Sequence, residues 1–236
     1  MAWLKYRTYL QGFFYDRQTQ SIIRTVLKNG GNGLDVGCHK GEILDFMISA
    51  SPKGEHIGIE PIPSMAADLS NKYADMPNVQ IVSGALASES GESTFQFVKS
   101  NPAFSGLKQR SYLKAETIDS ITVPVYTLDE IWPENRSLNL VKIDVEGGEL
   151  GVLEGGRKMI SQWKPVVIFE HGLGAADHYG TSPKAIFHFF ESAGMNIYLM
   201  KHFLRNREPL SFMQFEYFFL RKLEFYFVAS AAPLNS

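Results

Sequence analysis

The feature that most limits the fold of this chain is a repeated pairing of a short apolar run with a helix-like stretch. "GLDVG" (33–37), "HIGIEP" (56–61), "VQIVSGAL" (79–86), "LNLVKIDVEG" (138–147) and "PVVIFEHG" (165–172) read as strands. Helical stretches are predicted from Lys40 to about Ala50, from about Ser64 to Tyr73 and from about Gly148 to Gln162. A further helix, "SPKAIFHFFESAG" (182–194), has Ser at its N-cap, Pro at its first position and Gly at its end. "MNIYLMK" and "EFYFVASA" supply two late strands. Strands apolar on both faces and separated by helices imply a mainly parallel sheet with helices on both faces, an α/β fold. "STFQFV" (93–98) and "ITVPVYTL" (121–128) alternate with period two, and a polar loop lies between them.

Composition bounds the partners. The 236 residues are 44% apolar and 20% charged, enough for one soluble domain with a full core. A net charge of −2 provides no field that would recruit nucleic acid. Cys38 is the single cysteine, so no internal disulfide exists, and a reducing, cytoplasmic setting is expected. No apolar run is long enough for a transmembrane helix. The first thirty residues are broken by Lys5, Arg7, Gln11, Asp16 and Arg17, which excludes a signal peptide. They read as one or two amphipathic helices ending at Asn29-Gly30-Gly31. Packing on the domain is the simpler reading; the aromatic and basic residues also suit a membrane surface.

Ligands of open parallel sheets bind beyond the carboxyl ends of the strands. The first strand ends there as Asp35-Val36-Gly37-Cys38-His39-Lys40-Gly41. Gly37 and Gly41 permit a tight turn, but the spacing is neither that of a dinucleotide fold nor that of a P-loop. Glu60 ends the second strand, 23 residues after Gly37, where an acid accepts hydrogen bonds from ribose hydroxyls. Gly84 and Ala85 end the third with a small-residue wall for a flat purine. The set fits an adenosine ligand without a pyrophosphate, such as S-adenosylmethionine.

"LVKIDVEGGEL" (140–150) runs from a buried strand into three acids. Strand alternation puts Lys142 and Asp144 on one face, Ile143 and Val145 on the other. Asp144 and Glu146 open onto the ligand edge, with Lys142 as a charge partner. Glu149 falls in the first turn of the next helix, where a negative charge suits the dipole.

On "LDVGCHKG", "IGIEPIP", "VSGALASESGESTFQF", "VYTLDEIW", "LVKIDVEGGELGVLEGG" and "KPVVIFEH", in family order over about residues 33–171, the chain resembles the FkbM family of S-adenosylmethionine-dependent methyltransferases. The later "EPLSFMQFEYF" and "EFYFVA" resemble the family's ending. The resemblance implies a class I methyltransferase (Rossmann-like) seven-stranded sheet with an antiparallel last strand. Residues 1–32 are expected as an N-terminal helical extension and 33–236 as the S-adenosylmethionine-dependent methyltransferase domain. The resemblance also implies O-methylation of a small-molecule or saccharide hydroxyl. Asp35, Gly37, Gly41, Glu60, Gly84 and Ala85 take the cofactor-binding roles, and Asp144 and Glu146 the active-site edge. The family turn commonly has Ala-Asn where this chain has Cys38-His39. The family's serine pair appears as Ser105-Gly106-Leu107, which makes Ser105 a soft substrate contact, together with Glu170.

Removing the acceptor's proton needs a base. His171, directly after Glu170, is the expected one, because imidazole titrates near neutral pH. The same histidine could instead cap its strand or orient Asp144. Asp144, Glu146, Glu170, His171 and Asp177 could also ligate a divalent metal, which the spacing does not require. His178 and His188 are weaker candidates, the latter expected at a core edge. The cluster Phe212, Phe215, Tyr217, Phe218 and Phe219 reads as core or as a homodimer face. A nicotinamide oxidoreductase and a non-catalytic S-adenosylmethionine-binding protein are the alternatives. The acceptor surface is expected from residues 99–117, the loop after His171 and the N-terminal helices.

Overall fold

The structure is a computed structural model that describes residues 2–112 and 116–234, with side chains from residue 12 onward. The elements in chain order are α1 (Ala2–Val26), β1 (Gly33–Val36), α2 (Glu42–Ala50), β2 (His56–Glu60), α3 (Pro63–Lys72), β3 (Val79–Ser83), β4 (Ala85–Leu86), β5 (Gly91–Val98) and β6 (Ile118–Tyr126). Then follow α4 (Leu128–Ile131), β7 (Leu140–Ile143), α5 (Glu149–Gly155), α6 (Arg157–Trp163), β8 (Val166–Glu170), α7 (Pro183–Ser192), β9 (Asn196–Leu199), α8 (Met200–Phe203), α9 (Phe212–Leu220) and β10 (Tyr226–Ser230).

Seven strands form one sheet in the order β3-β2-β1-β7-β8-β10-β9. β10 runs antiparallel to both of its neighbours, and the pairs from β3 to β8 are parallel. This is the α/β sheet of a class I methyltransferase, with the last strand reversed. Strand alternation divides the core. Val141, Ile143, Val167 and Phe169 pack on one face, and Leu140, Ile168 and Val228 on the other. The second face is covered partly by α1, whose Ile22 and Ile23 join Leu44 and Met47 of α2.

The two period-two stretches leave the main sheet. β5 and β6 pair antiparallel, with β4 beside β6, as a three-stranded sheet at the ligand edge. The helix expected from Gly148 to Gln162 is two helices. A Cβ on Gly155 would lie 2.1 Å from the Ala87 carbonyl oxygen, and one on Gly156 2.3 Å from a Leu128 methyl. The small sheet and α4 thus pack directly onto the break between α5 and α6.

Candidate active site

A cleft opens beyond the carboxyl ends of β1, β2 and β7 and lies under the small sheet. Gly37, His39, Glu60, Gly84 and Ala85 line one end, and Asp144, Glu146 and Gly148 the other. Phe95, Pro102, Ser105, Leu107 and Tyr179 complete the lining.

At the first end, Gly37 takes φ +81° and its amide donates to the Ile59 carbonyl at 3.0 Å. A Cβ there would fall 2.0 Å from the Asp144 carbonyl oxygen, so only glycine lets the ends of β1 and β7 meet. His39 is also left-handed, at φ +50°, which aims its amide at Glu60. The Glu60 carboxylate accepts from the His39 amide and from the Ile62 amide, each at 2.9 Å. Burial pushes Glu60 up to about 7, against the pull of those two amides.

Two residues expected to touch the ligand stand behind this turn. Gly41 does not line the cleft; its φ of +81° turns the chain into α2, and a Cβ would strike the Tyr73 hydroxyl at 2.5 Å. Asp35 is buried inside β1, away from the lining, and neither carboxylate oxygen has a hydrogen-bond partner among the described residues. Burial raises it to about 6, offset in part by Lys142. Asp35 and Gly41 therefore support the turn in this structure rather than line the cleft.

The other end is built from side chains. Asp144 follows β7, and its Oδ2 accepts from Lys142 Nζ at 2.8 Å and from the Tyr226 hydroxyl at 2.5 Å. Tyr226 lies opposite Glu170 in the β10–β8 register. Burial opposes the charge on Asp144, but Lys142 and the two hydrogen bonds outweigh it and hold the carboxyl below its ordinary range. Burial and the neighbouring Asp144 charge push Glu170 well above the usual carboxylate range. Glu146 takes φ +58° and forms an ion pair with Arg110 from the loop after β5. Carboxylate oxygens of Asp144, Glu146 and Glu170 all lie within 4.8 Å of one another. Lys142 pairs with Asp144 and Arg110 with Glu146.

Glu149 does occupy the first turn of α5, yet it is fully buried, and its Oε1 accepts from the Gly147 and Val145 amides at 3.0 and 3.3 Å. It braces the turn that presents Asp144 and Glu146. Ser105 lines the cleft while its hydroxyl accepts from the Val98 amide at 2.9 Å, which fixes the loop. The expected acceptor segment 99–117 does roof the cleft through residues 102–107; residues 113–115 lie outside the described residues.

His171 requires a correction. Its side chain is fully buried, its ring stacks on Phe219 at 4.5 Å and on Phe215 at 5.7 Å, and it does not line the cleft. Neither ring nitrogen has a partner among the described residues, and burial lowers its pKa to about 4. The residue after Glu170 points to the opposite side of the strand, and α9 supplies an aromatic clamp there. His171 is therefore neither a base nor a metal ligand. Asp177 is occupied too, accepting from the Gly174 amide at 2.5 Å. His178 pairs with the Ser111 hydroxyl at 2.9 Å. His188 is a surface residue paired with Glu191, not a core-edge one. Sequence reasoning missed Arg110, Tyr179 and Tyr226. Each lies in a segment with no acid-rich or glycine-rich signal, and only the fold brings Tyr179 to the cleft, Arg110 to Glu146 and Tyr226 to Asp144.

A family model described as methyltransferase FkbM domain matches residues 35–197. The chain belongs to the FkbM methyltransferase family. The matched span runs from the Gly37 turn through the Asp144 strand to β9. No curated protein sequence matches the chain. Similar solved structures include methyltransferase FkbM from Methylobacillus flagellatus, at 18% identity and a TM-score of 0.45, covering 64% of this chain and 35% of that one. The FkbM chain described here thus spans about a third of that protein's length. Precorrin-6y C5,15-methyltransferase from Geobacter metallireducens matches at 16% identity and TM-score 0.42, covering 77% of this chain and 70% of that one. Fibrillarin from Aeropyrum pernix, in complex with natively bound S-adenosyl-L-methionine, matches at 12% identity and TM-score 0.44, covering 87% and 68%.

Proposed function

We propose that the chain is an S-adenosylmethionine-dependent O-methyltransferase that acts in the cytoplasm on a hydroxyl of a small-molecule or saccharide acceptor. The observation that carries this reading is one cleft with two different ends. A buried acid on backbone amides faces small residues at one end, and a buried, ionised aspartate lies at the other. The residues fit the cofactor. Glu60 would take the ribose hydroxyls, Gly84 and Ala85 leave room for adenine between Ile62 and Phe95, and Gly37 lets the ligand approach backbone. Glu60 is held by backbone amides, which suits hydrogen bonding to neutral ribose hydroxyls.

When bound, the cofactor supplies a methyl group on a positively charged sulfur. The chain's own task is alignment and proton handling. Asp144 is oriented by Lys142 and Tyr226 through Oδ2 and also bonds Glu170, and its carboxylate holds the acceptor hydroxyl. A carboxylate held this acidic is a weak base for an alcohol, so it takes the proton late, as the new oxygen–carbon bond forms. Arg110 and Tyr179 border the same end and orient the acceptor. Calorimetry with S-adenosylmethionine and with NADH tests the cofactor assignment. Binding of the nicotinamide alone would overturn it. Mass spectrometry of a hydroxyl-bearing acceptor panel tests the chemistry; cofactor binding without any methylated product would leave a binding protein.

A further inference from the structure

Tyr226, which holds Asp144, stands at the end of a strand. It is the first residue of β10 and lies opposite Glu170 of β8, whereas the register with β9 begins one residue later, at Phe227. A strand end paired on one side frays easily. Its hydroxyl nevertheless lies 2.5 Å from Asp144 Oδ2, so the ring is steadied by more than the sheet.

That support comes from α1. Tyr15 is 6% exposed, and it meets three consecutive residues, Glu224, Phe225 and Tyr226. Its hydroxyl donates to Glu224 Oε2 at 2.5 Å and accepts from the Phe225 amide at 3.4 Å. Its ring packs on Phe225 and Tyr226, with centres 4.8 and 5.2 Å apart. Glu224 is itself pinned, since its Oε1 accepts from Lys201 Nζ of α8 at 2.6 Å. Lys142, the other partner of Asp144, has its Nζ 5.9 Å from the Tyr226 ring centre. Asp16 follows Tyr15 in α1; partial burial pushes its carboxyl up, and the Lys142 charge opposes that push. Tyr15 and Asp16 thus stand beside the two side chains that hold Asp144. Tyr15 precedes and Tyr226 follows the matched span 35–197, so the two flanks of that span meet at the acceptor end.

We propose that Tyr15 is a positioning residue for the acceptor end: wedged against residues 224–226, it fixes the Tyr226 hydroxyl on Asp144 and makes α1 part of the framework of the site. The proposal rests on the reading of Asp144 as the group that holds the acceptor hydroxyl. Tyr15 does not line the cleft, so it acts through Tyr226. A shift of about 1 Å in a group that aligns reactants costs about 100-fold in rate, which is why support from outside the cleft matters.

Two measurements separate this role from ordinary core packing. The first needs no acceptor. Exchange of tyrosine hydroxyl protons with water is followed by NMR on tyrosine-labelled protein, and the Tyr226 signal is assigned by its loss in Tyr226→Phe. Tyr15→Leu should speed exchange at Tyr226 by about tenfold. The Tyr73 hydroxyl, which bonds Asp45 at 2.8 Å and ties α3 to α2, should keep its rate. Tyr15→Phe keeps the ring and should show a smaller increase; if Tyr15→Leu does not fold, this variant carries the same comparison. The second measurement uses S-adenosylmethionine and an acceptor that the hydroxyl panel identifies. Tyr15→Leu should lower kcat by about tenfold with cofactor affinity unchanged. In a Tyr226→Phe background the same substitution should have no further effect. Unchanged exchange at Tyr226, an equal rise at Tyr73, or a kcat loss that persists without the Tyr226 hydroxyl would overturn the proposal. A panel without any methylated product would instead overturn the methyl-transfer reading, and the exchange rates would still decide whether Tyr15 holds Tyr226.

Discussion

The two ends of the cleft satisfy buried acids in opposite ways. At the turn end, Glu60 is held by backbone amides of His39 and Ile62, both in the loops next to β1 and β2. Amides cannot titrate or swing away, so this end is fixed by local chain geometry. At the acceptor end, Asp144 is held by Lys142 and Tyr226, and Glu146 by Arg110. Those partners come from separate elements and carry charges that a substitution can remove. A rigid end suits one constant ligand, whereas an end made of side chains can be retuned to a particular acceptor.

Substitutions can break this contrast, beginning with the largest effect. Gly37→Ala puts a Cβ 2.0 Å from the Asp144 carbonyl oxygen at a positive φ, which strikes both ends at once. Chemical denaturation should show a loss of more than about 3 kcal/mol, and calorimetry no cofactor binding. Near-normal stability would mean that β1 and β7 part cheaply. Asp144→Asn should reduce turnover by about 100-fold or more while cofactor affinity changes little. Equal loss in both measurements would make Asp144 a structural residue.

His171 tests the packing behind the acceptor end. Its folded pKa of about 4 lies below the ordinary 6.5, so the folded protein disfavours the protonated ring. The stabilising effect of the neutral ring is complete above pH 6.5 and is lost as pH falls toward 4, by about 3 kcal/mol in total. Relative to wild type, His171→Phe should gain stability by that amount over this window, read from denaturation midpoints at each pH. A difference that does not vary with pH would show that the ring reaches water.

Glu60→Ala should weaken cofactor binding by about 1–3 kcal/mol, because hydrogen bonds to a charged partner are lost. Glu60→Gln should recover part of the affinity and flatten its dependence on pH near 7, where the native carboxyl ionises. Unchanged affinity in both variants would remove Glu60 from the ligand site. The smallest effect is expected for Ser105→Ala, about 1 kcal/mol of stability, since the Val98 amide loses its acceptor. A much larger fall in turnover than in stability would give Ser105 a contact with the acceptor.

The legibility of the site follows the same contrast. The places of Glu60, Gly37, Gly84 and Ala85 along the cleft were readable because each follows from strand ends and local turns, which short sequence windows encode. Asp144 was readable for its place and for Lys142 two residues away. Asp35 and Gly41 were placed on the right turn but on its wrong side, because a motif does not say which atoms of a turn face the cleft. His171 was misread for a stronger reason. It adjoins Glu170 in sequence, but strand alternation turns it away, and α9, some forty residues later, closes two phenylalanine rings on it.

By itself the sequence determined the parallel sheet, its helices and the strand ends that open onto the cleft, since periodicity and glycine placement are local properties of the chain. Only the tertiary structure decided which charges meet. Arg110, Glu170 and Tyr226 surround Asp144 and Glu146 because distant loops and the reversed last strand converge on one sheet edge. Burial there, with Lys142, pushes Asp144 down and Glu170 up, and burial depends on the whole fold.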